Sequence, residues 1–262
     1  MNYSDETVLE HIIAAEREAG QLMRNARELM IEQKSSARDI VTDHDRRVQA
    51  LVMERLTALI PDAAFFCEES NVQDSTSAPH VFIIDPIDGT MNFTRHLNAS
   101  CVAVAYMVSG VLRAAAVYNP FTDELFSAVK DSGAFCNGKP IRVEDRPLSE
   151  TIFCLGSAPY RPDLADRVFS LARLAFENSL DLRRFGSAEL DMCFVASGRA
   201  GLYFEPDLSL WDYAAGLLIL HEAGGVCSTL DGEPLPFDGR KSSVLAGSRP
   251  AYHEFAELMK RR

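Results

Sequence analysis

The stretch Ile83-Ile84-Asp85-Pro86-Ile87-Asp88-Gly89-Thr90 places two carboxylates three residues apart at the end of an apolar run, with Gly-Thr directly after them. Strand ends of this kind collect reactive side chains. Pro86 fixes φ and removes a competing N–H, so both carboxylates can turn toward one point, and Gly89 lets the backbone approach an anion closely. A helix starting near Thr90 would offer free N–H groups to a phosphate. Taken alone, the stretch also fits a plain turn with Asp88-Gly89 at its corner. Two further acidic positions shift the balance. Glu68-Glu69 follow an apolar run at residues 63–66, and adjacent carboxylates repel unless a cation sits between them. Trp211-Asp212 opens an apolar helical stretch in which Asp212 is either an N-cap or another ligand. Several oxygen donors without converging His or Cys select a hard cation such as Mg²⁺, which binds through carboxylates, waters and substrate phosphate. The chemistry they support is metal-assisted phosphoryl transfer.

Elements must position these groups. Val8, Ile12, Ala15, Ala19, Leu22, Ala26 and Leu29 recur at alternating steps of four and three, which predicts one long amphipathic helix running to about Gln33. A second helix starts near Thr42 or Asp43, carries Val48, Leu51, Val52, Leu56 and Leu59 inward, and stops before Pro61. Short runs at 63–67, 80–85, 100–107, 111–118 and 124–129, separated by turn residues, read as strands of one sheet. Asn137-Gly138 is a type I′ hairpin signal, since both positions need positive φ. Beyond Pro147 strands and helices alternate. Strands are expected at 151–155, 180–185, 201–204, near Val226 and at 244–246, with helices at 163–177, 188–196, 212–221 and from Ala251. The shift near Arg146-Pro147 divides the chain into residues 1–146 and 147–262, packed closely.

The length of 262 residues suits one large domain or two modest ones, and 47% hydrophobic with 24% charged residues describes a folded globular chain. A net charge of −12 disfavours nucleic acid and anionic lipid as partners. No apolar run reaches the roughly 18 residues of a membrane span, and the N-terminus lacks a signal peptide's basic head, so a cytoplasmic address is expected. The six cysteines form no CxxC pair and read as reduced, mostly buried small hydrophobes.

Asp85-Pro86-Ile87-Asp88-Gly89-Thr90-Met91-Asn92-Phe93 resembles the first signature of the inositol monophosphatase family, and Trp211-Asp212-Tyr213-Ala214-Ala215-Gly216 resembles its second. Glu68-Glu69-Ser70, Lys34-Ser35-Ser36 through Asp39-Ile40-Val41-Thr42 and Asp45, and Gly186-Ser187-Ala188 are similar to further family blocks in the same order. The resemblance covers nearly the whole chain, from about Glu6 to Ala256.

It implies a mixed α/β fold, a five-layered αβαβα sandwich that forms a homodimer and hydrolyses phosphate monoesters with two to three Mg²⁺ per site. Glu68, Asp85 and the Ile87 carbonyl would hold one ion, Asp85, Asp88 and Asp212 a second, and a third would lie near Glu68. The Gly89 and Thr90 amides would hold the phosphate, and Asp45 with the Thr90 hydroxyl would orient the attacking water. Glu205, seven residues before Asp212, would accept inositol hydroxyls beside Ser187 and Ala188, although a solvated strand-end charge is the alternative. Lithium and excess Mg²⁺ would inhibit. Inositol monophosphate leads as substrate. Histidinol phosphate, a nucleoside bisphosphate or a sugar bisphosphate are alternatives, as is a role as regulatory partner of transcription machinery. The family pattern breaks at Thr94-Arg95-His96-Leu97-Asn98-Ala99, which leaves that loop's shape open, and at Asp43, read as a helix N-terminal charge. Arg183-Arg184 read either as solvated or as a grip on a second anionic group.

Overall fold

The computed structural model describes residues 3–70 and 73–261. Helix α1 (Asp5–Arg24) begins at Ser4, whose hydroxyl accepts the Thr7 N–H, and buries Val8, Ile12, Ala15, Ala19 and Met23 along one stripe. It ends at Arg24 instead of near Gln33. A hairpin of β1 (Ile31–Ser36) and β2 (Asp39–Thr42) follows. The apolar period runs on through Ala26 and Leu29, but these pack only partly against the helix's core, while Ser36 and the β-branched Ile40, Val41 and Thr42 favour extended chain. Helix α2 (Asp43–Leu59) starts where expected, because Thr42 and Asp45 cap each other's backbone in a capping box.

The larger sheet contains β3 (Ala64–Cys67), β4 (His80–Asp88), β5 (Cys101–Val108), β6 (Val111–Asn119), β7 (Glu124–Val129), β8 (Ala134–Cys136) and β9 (Lys139–Ile141) in chain order. β3 is parallel to β4 and the other pairs are antiparallel. A short helix α3 (Thr90–Thr94) leaves the end of β4. Asn137 and Gly138 adopt φ of 49° and 73°, as their hairpin requires.

The remaining chain supplies β10 (Ile152–Leu155), α4 (Ala165–Asn178), β11 (Asp181–Arg183), α5 (Ala188–Ala196), β12 (Leu202–Leu208), α6 (Ala214–Glu222), β13 (Val226–Ser228), β14 (Ser242–Gly247) and α7 (Arg249–Lys260). Its sheet has the order β11-β10-β12-β14-β13, with β10 parallel to both β11 and β12. The strand expected at 201–204 runs on to Leu208. The helix expected from Asp212 is preceded by a 3₁₀ turn over Leu210–Asp212.

Three buried clusters define five layers. One lies between α1, α2 and the larger sheet. Another fills the space between the two sheets around α5 and α6. The third joins the smaller sheet to α4 and α7. The αβαβα order follows. Because α5 and α6 are covered on both sides, they are apolar on most faces, with the buried Glu189 and Asp191 of α5 as exceptions, whereas α1 and α7 carry single stripes.

Candidate active site

The acidic residues gather where parallel strands stop, at the carboxyl ends of β3 and β4 in one sheet and of β10 and β12 in the other. On β4 the ladder slips: Asp85 pairs with Ala103 and Asp88 with Cys101, so β4 carries one more residue than β5 between these pairs. Side chains alternate faces along a regular strand, so residues three apart would point away from each other. The bulge at Pro86-Ile87 removes that constraint. Gly89 follows with φ 83°, and a Cβ there would stand 2.9 Å from the Ala99 carbonyl oxygen and 3.1 Å from that of Gly186. Only glycine fits.

Asp85 is buried, and its Oδ1 has no hydrogen-bond partner. Burial raises its pKa well above the ordinary carboxylate range, and Glu68, Asp88 and Asp212 add to the effect. Asp88 is held from behind by the first turn of α5: Ser187 Oγ donates to Oδ2 at 2.6 Å, the Glu189 N–H to Oδ2 at 2.8 Å and the Ala188 N–H to Oδ1 at 3.3 Å. Burial pushes the Asp88 pKa up against those bonds. Asp212 does not cap α6. It sits in the 3₁₀ turn and accepts the Ser209 N–H at 2.6 Å, while burial, Glu68 and Asp88 raise its pKa. Buried carboxylates that raise one another's pKa, one with an idle oxygen, have the donor chemistry of a hard-cation site. Among the described residues, however, no three His, Cys, Asp or Glu side chains close into a finished cage.

A cation of the chain stands at the rim. Lys34 Nζ donates to Glu68 Oε1 at 2.9 Å and also contacts Glu69 Oε1. Burial works against its charge, but the two carboxylates outweigh this and raise its pKa. On the other side of Gly89, Thr90 Oγ1 lies 3.1 Å from Asp45 Oδ1 and 3.0 Å from the Ile87 carbonyl, while Asp45 Oδ2 accepts the Thr42 hydroxyl at 2.6 Å. Burial lifts the Asp45 pKa to about 7 despite the bonds from Thr42, with Glu68 and Glu69 contributing. A carboxylate poised near neutrality is suited to take a proton.

Glu68, Asp88, Gly89, Thr90, Ala188, Glu205 and Asp212 line one cleft of about 160 Å³. Glu205 is buried instead of solvated; its Oε1 accepts the Ala158 N–H at 3.0 Å and its Oε2 the Tyr203 hydroxyl at 2.9 Å. Ser187 is turned away from the cleft, its hydroxyl spent on Asp88 and on the Leu190 N–H. The two arginines separate. Arg184 lines the cleft, whereas Arg183 pairs with Asp181 at 2.5 Å on the surface. Asp43 accepts the Met30 N–H and pairs with His44 at the start of α2, outside the cleft. The loop Thr94–Ala99 also stays outside, turned by left-handed His96 and Asn98 and tied through Asn92 to the Ala99 carbonyl and through Asn119 to the Asn98 carbonyl.

The far wall is formed by Gly156, Pro159 and Tyr160, which the sequence reading missed, facing Arg38 from the β1–β2 turn; Arg38 donates to the Pro159 carbonyl at 3.1 Å. No local sequence pattern marks Gly156, Pro159 or Tyr160; they reach the cleft because β10 lies beside β12, where the Tyr160 hydroxyl donates to the Asp207 carbonyl at 2.6 Å.

A five-layered sandwich with carboxylates from both sheets converging beside a glycine turn defines a phosphoester-hydrolase architecture. The sequence profile of the inositol monophosphatase family matches residues 4–261. The inositol-1-monophosphatase of Synechocystis sp. is 33% identical over 255 residues, 97% of this chain and 88% of that protein. The Nus factor SuhB of Escherichia coli is 35% identical over 225 residues, 84% of each. The crystal structure of the extragenic suppressor protein suhB from Bartonella henselae superposes with a TM-score of 0.90 at 31% identity, over 97% of this chain and 99% of that one. The chain belongs to the inositol monophosphatase family, a family of phosphoric monoester hydrolases.

Proposed function

We propose that the chain hydrolyses the phosphate monoester of a polyol, inositol monophosphate first among them, with Mg²⁺. The observation that carries this reading is the buried Asp85, with an idle oxygen, set among Glu68, Asp88 and Asp212 at one strand end. On this reading Glu68, Asp85 and the Ile87 carbonyl would hold one ion, Asp85, Asp88 and Asp212 a second, and a third would lie near Glu68. Bound Mg²⁺ would neutralise charge on the phosphoryl oxygens and acidify water. The chain's own groups do the rest. The Gly89 and Thr90 N–H groups receive the phosphate at the start of α3. Asp45, hydrogen-bonded to Thr90, orients water and accepts its proton. Glu205 accepts a substrate hydroxyl through lone pairs left free by Ala158 and Tyr203, and it repels a second phosphate. Residues 1–146 thus contribute most of the ligands, and residues 147–262 complete the site.

A panel of phosphate esters assayed for inorganic phosphate release, with Mg²⁺ and with EDTA, tests the reading. Release from inositol monophosphate that EDTA abolishes is expected, and no Mg²⁺-dependent release from any ester would refute it. A Mg²⁺ curve that rises and then falls, with uncompetitive lithium inhibition, is expected if Asp85, Asp88 and Asp212 would have to release their cation before phosphate could leave. We extend the proposal to a homodimer, supported by exposed Phe169, Phe176 and Leu180 near β11 and testable by light scattering. A regulatory role with transcription machinery is a second reading, favoured by the likeness to a protein named Nus factor SuhB.

A further inference from the structure

Glu189 has no role in the scheme above, yet it touches both halves of it. It is fully buried in the first turn of α5. Its N–H donates to Asp88 Oδ2 at 2.8 Å. Its side chain leaves its own helix: Oε1 accepts the Ala215 N–H at 3.2 Å, and Oε2 accepts the Gly216 N–H. The N-cap residue of α6, Tyr213, makes no side-chain capping bond, so the carboxylate that satisfies this helix start comes from the neighbouring helix. Gly216 belongs to the same device, since a Cβ there would lie 2.6 Å from Glu189 Oε2. Asp212 stands two residues before α6, next to its N-cap Tyr213.

We infer that Glu189 is a positioning residue that fixes the distance between Asp88 and Asp212 and thereby sets the affinity of the proposed cation site. The inference rests on the ligand assignment proposed above. The physical need is direct: Asp88 and Asp212 repel each other, and they are carried by chain segments far apart in sequence. With its backbone on one acid and its carboxylate on the helix that follows the other, Glu189 acts as a strut against that repulsion. A carboxylate bound to backbone N–H groups at a helix start is a strong, oriented contact.

The test is direct titration of the metal-free protein with Mn²⁺, following free Mn²⁺ by electron paramagnetic resonance, for the parent, Glu189→Ala and Glu189→Gln. Glu254→Ala is the control. It removes another carboxylate-to-backbone bond, from the Leu148 N–H to Glu254 Oε2, at residues that do not line the cleft. Loss of an outer partner of a metal ligand typically weakens binding about 10–100-fold. Glu189→Ala is expected to raise the Mn²⁺ Kd by about tenfold or more. Glu189→Gln, which keeps one acceptor, should fall between it and the parent. The ester KM at saturating metal should stay close to the parental value. Glu254→Ala should lower Tm with its Kd unchanged. Parental Kd in both Glu189 variants overturns the inference, and Glu189→Gln decides alone if Glu189→Ala does not fold. A parent that binds Mn²⁺ while the variants match it refutes only the role of Glu189. A parent that binds none refutes the site itself.

Discussion

Gly156 lies directly against the Glu205 carboxylate: a Cβ at Gly156 would fall 1.8 Å from Oε2 and 2.6 Å from Oε1. Backbone cannot yield by that much, so any side chain at position 156 must push Glu205 aside. Gly156→Ala is therefore expected to reproduce Glu205→Ala. Both should raise KM for inositol monophosphate by about tenfold or more, the cost of a lost buried polar contact of about 1–3 kcal/mol, and leave p-nitrophenyl phosphate little changed. Equal effects on the two esters would show that Glu205 does not read the polyol.

Asp45, with its pKa lifted to about 7, must be unprotonated to accept a proton. Activity should therefore fall as pH drops through neutrality, well above the ordinary carboxylate range. In Asp45→Asn that acid limb should vanish and the rate should fall by about 10²–10⁴. A pH–rate profile of kcat/KM for both proteins decides. A parental limb near about pH 4, the ordinary carboxylate range, would remove Asp45 from the role.

Burial raises the pKa values of Asp85, Asp88 and Asp212, and neighbouring carboxylates add to the rise at Asp85 and Asp212, so the folded, metal-free protein holds protons more tightly than the unfolded chain. The sign follows: they leave stability intact below the ordinary carboxylate range and erode it as pH rises through their folded values. In EDTA, Tm should fall between mildly acidic and mildly alkaline pH, and Mg²⁺ should flatten the fall. Saturating metal at about 100 times its Kd adds about 2.7 kcal/mol. Asp85→Asn should raise Tm in EDTA and abolish the Mg²⁺ response, as thermal melts with and without metal would show.

Glu16 is fully buried on α1 with neither carboxyl oxygen hydrogen-bonded. Burial raises its pKa well above normal and Glu189 adds to this, while the nearby Val104 backbone offsets part of it without forming a well-shaped bond. Glu16→Met should stabilise the protein by about 1–3 kcal/mol. Each kcal/mol corresponds to about 2–4 °C in Tm for a chain of this size. The gain should be larger at alkaline than at acidic pH, because the parent's penalty grows as pH rises above the unfolded carboxylate pKa. A Tm difference that does not change with pH would mean that Glu16 carries no ionisation penalty.

Most helices and strands and the acidic strand ends were legible because each rests on local chemistry: period, turn residues, and carboxylates after apolar runs; the order of the five layers was available only through the family resemblance. The end of α1 was not, since its stripe continues through Ala26 and Leu29 while the backbone turns into a hairpin. Ser187 was expected in the pocket through the family resemblance alone; as the N-cap of α5 it spends its hydroxyl on Asp88 and on the Leu190 N–H, while Ala188 lines the cleft. The distant wall at Gly156, Pro159 and Tyr160 depends on the crossover that lays β10 beside β12, which no local pattern encodes. The strut at Glu189 needs two helix starts to meet, and the pair of acids Glu189 and Asp191 in an apolar helix does not say which of them reaches the neighbouring helix.

The middle layer has a mechanical consequence. Helices α5 and α6 belong to the second half of the chain, yet they are the floor on which the larger sheet of the first half rests, through one continuous buried cluster. Neither half can be lifted off without exposing the apolar face of the other. The molecule should melt as one unit, and cutting the chain at the 146/147 junction should give two fragments that are each sticky alone and soluble only when co-expressed.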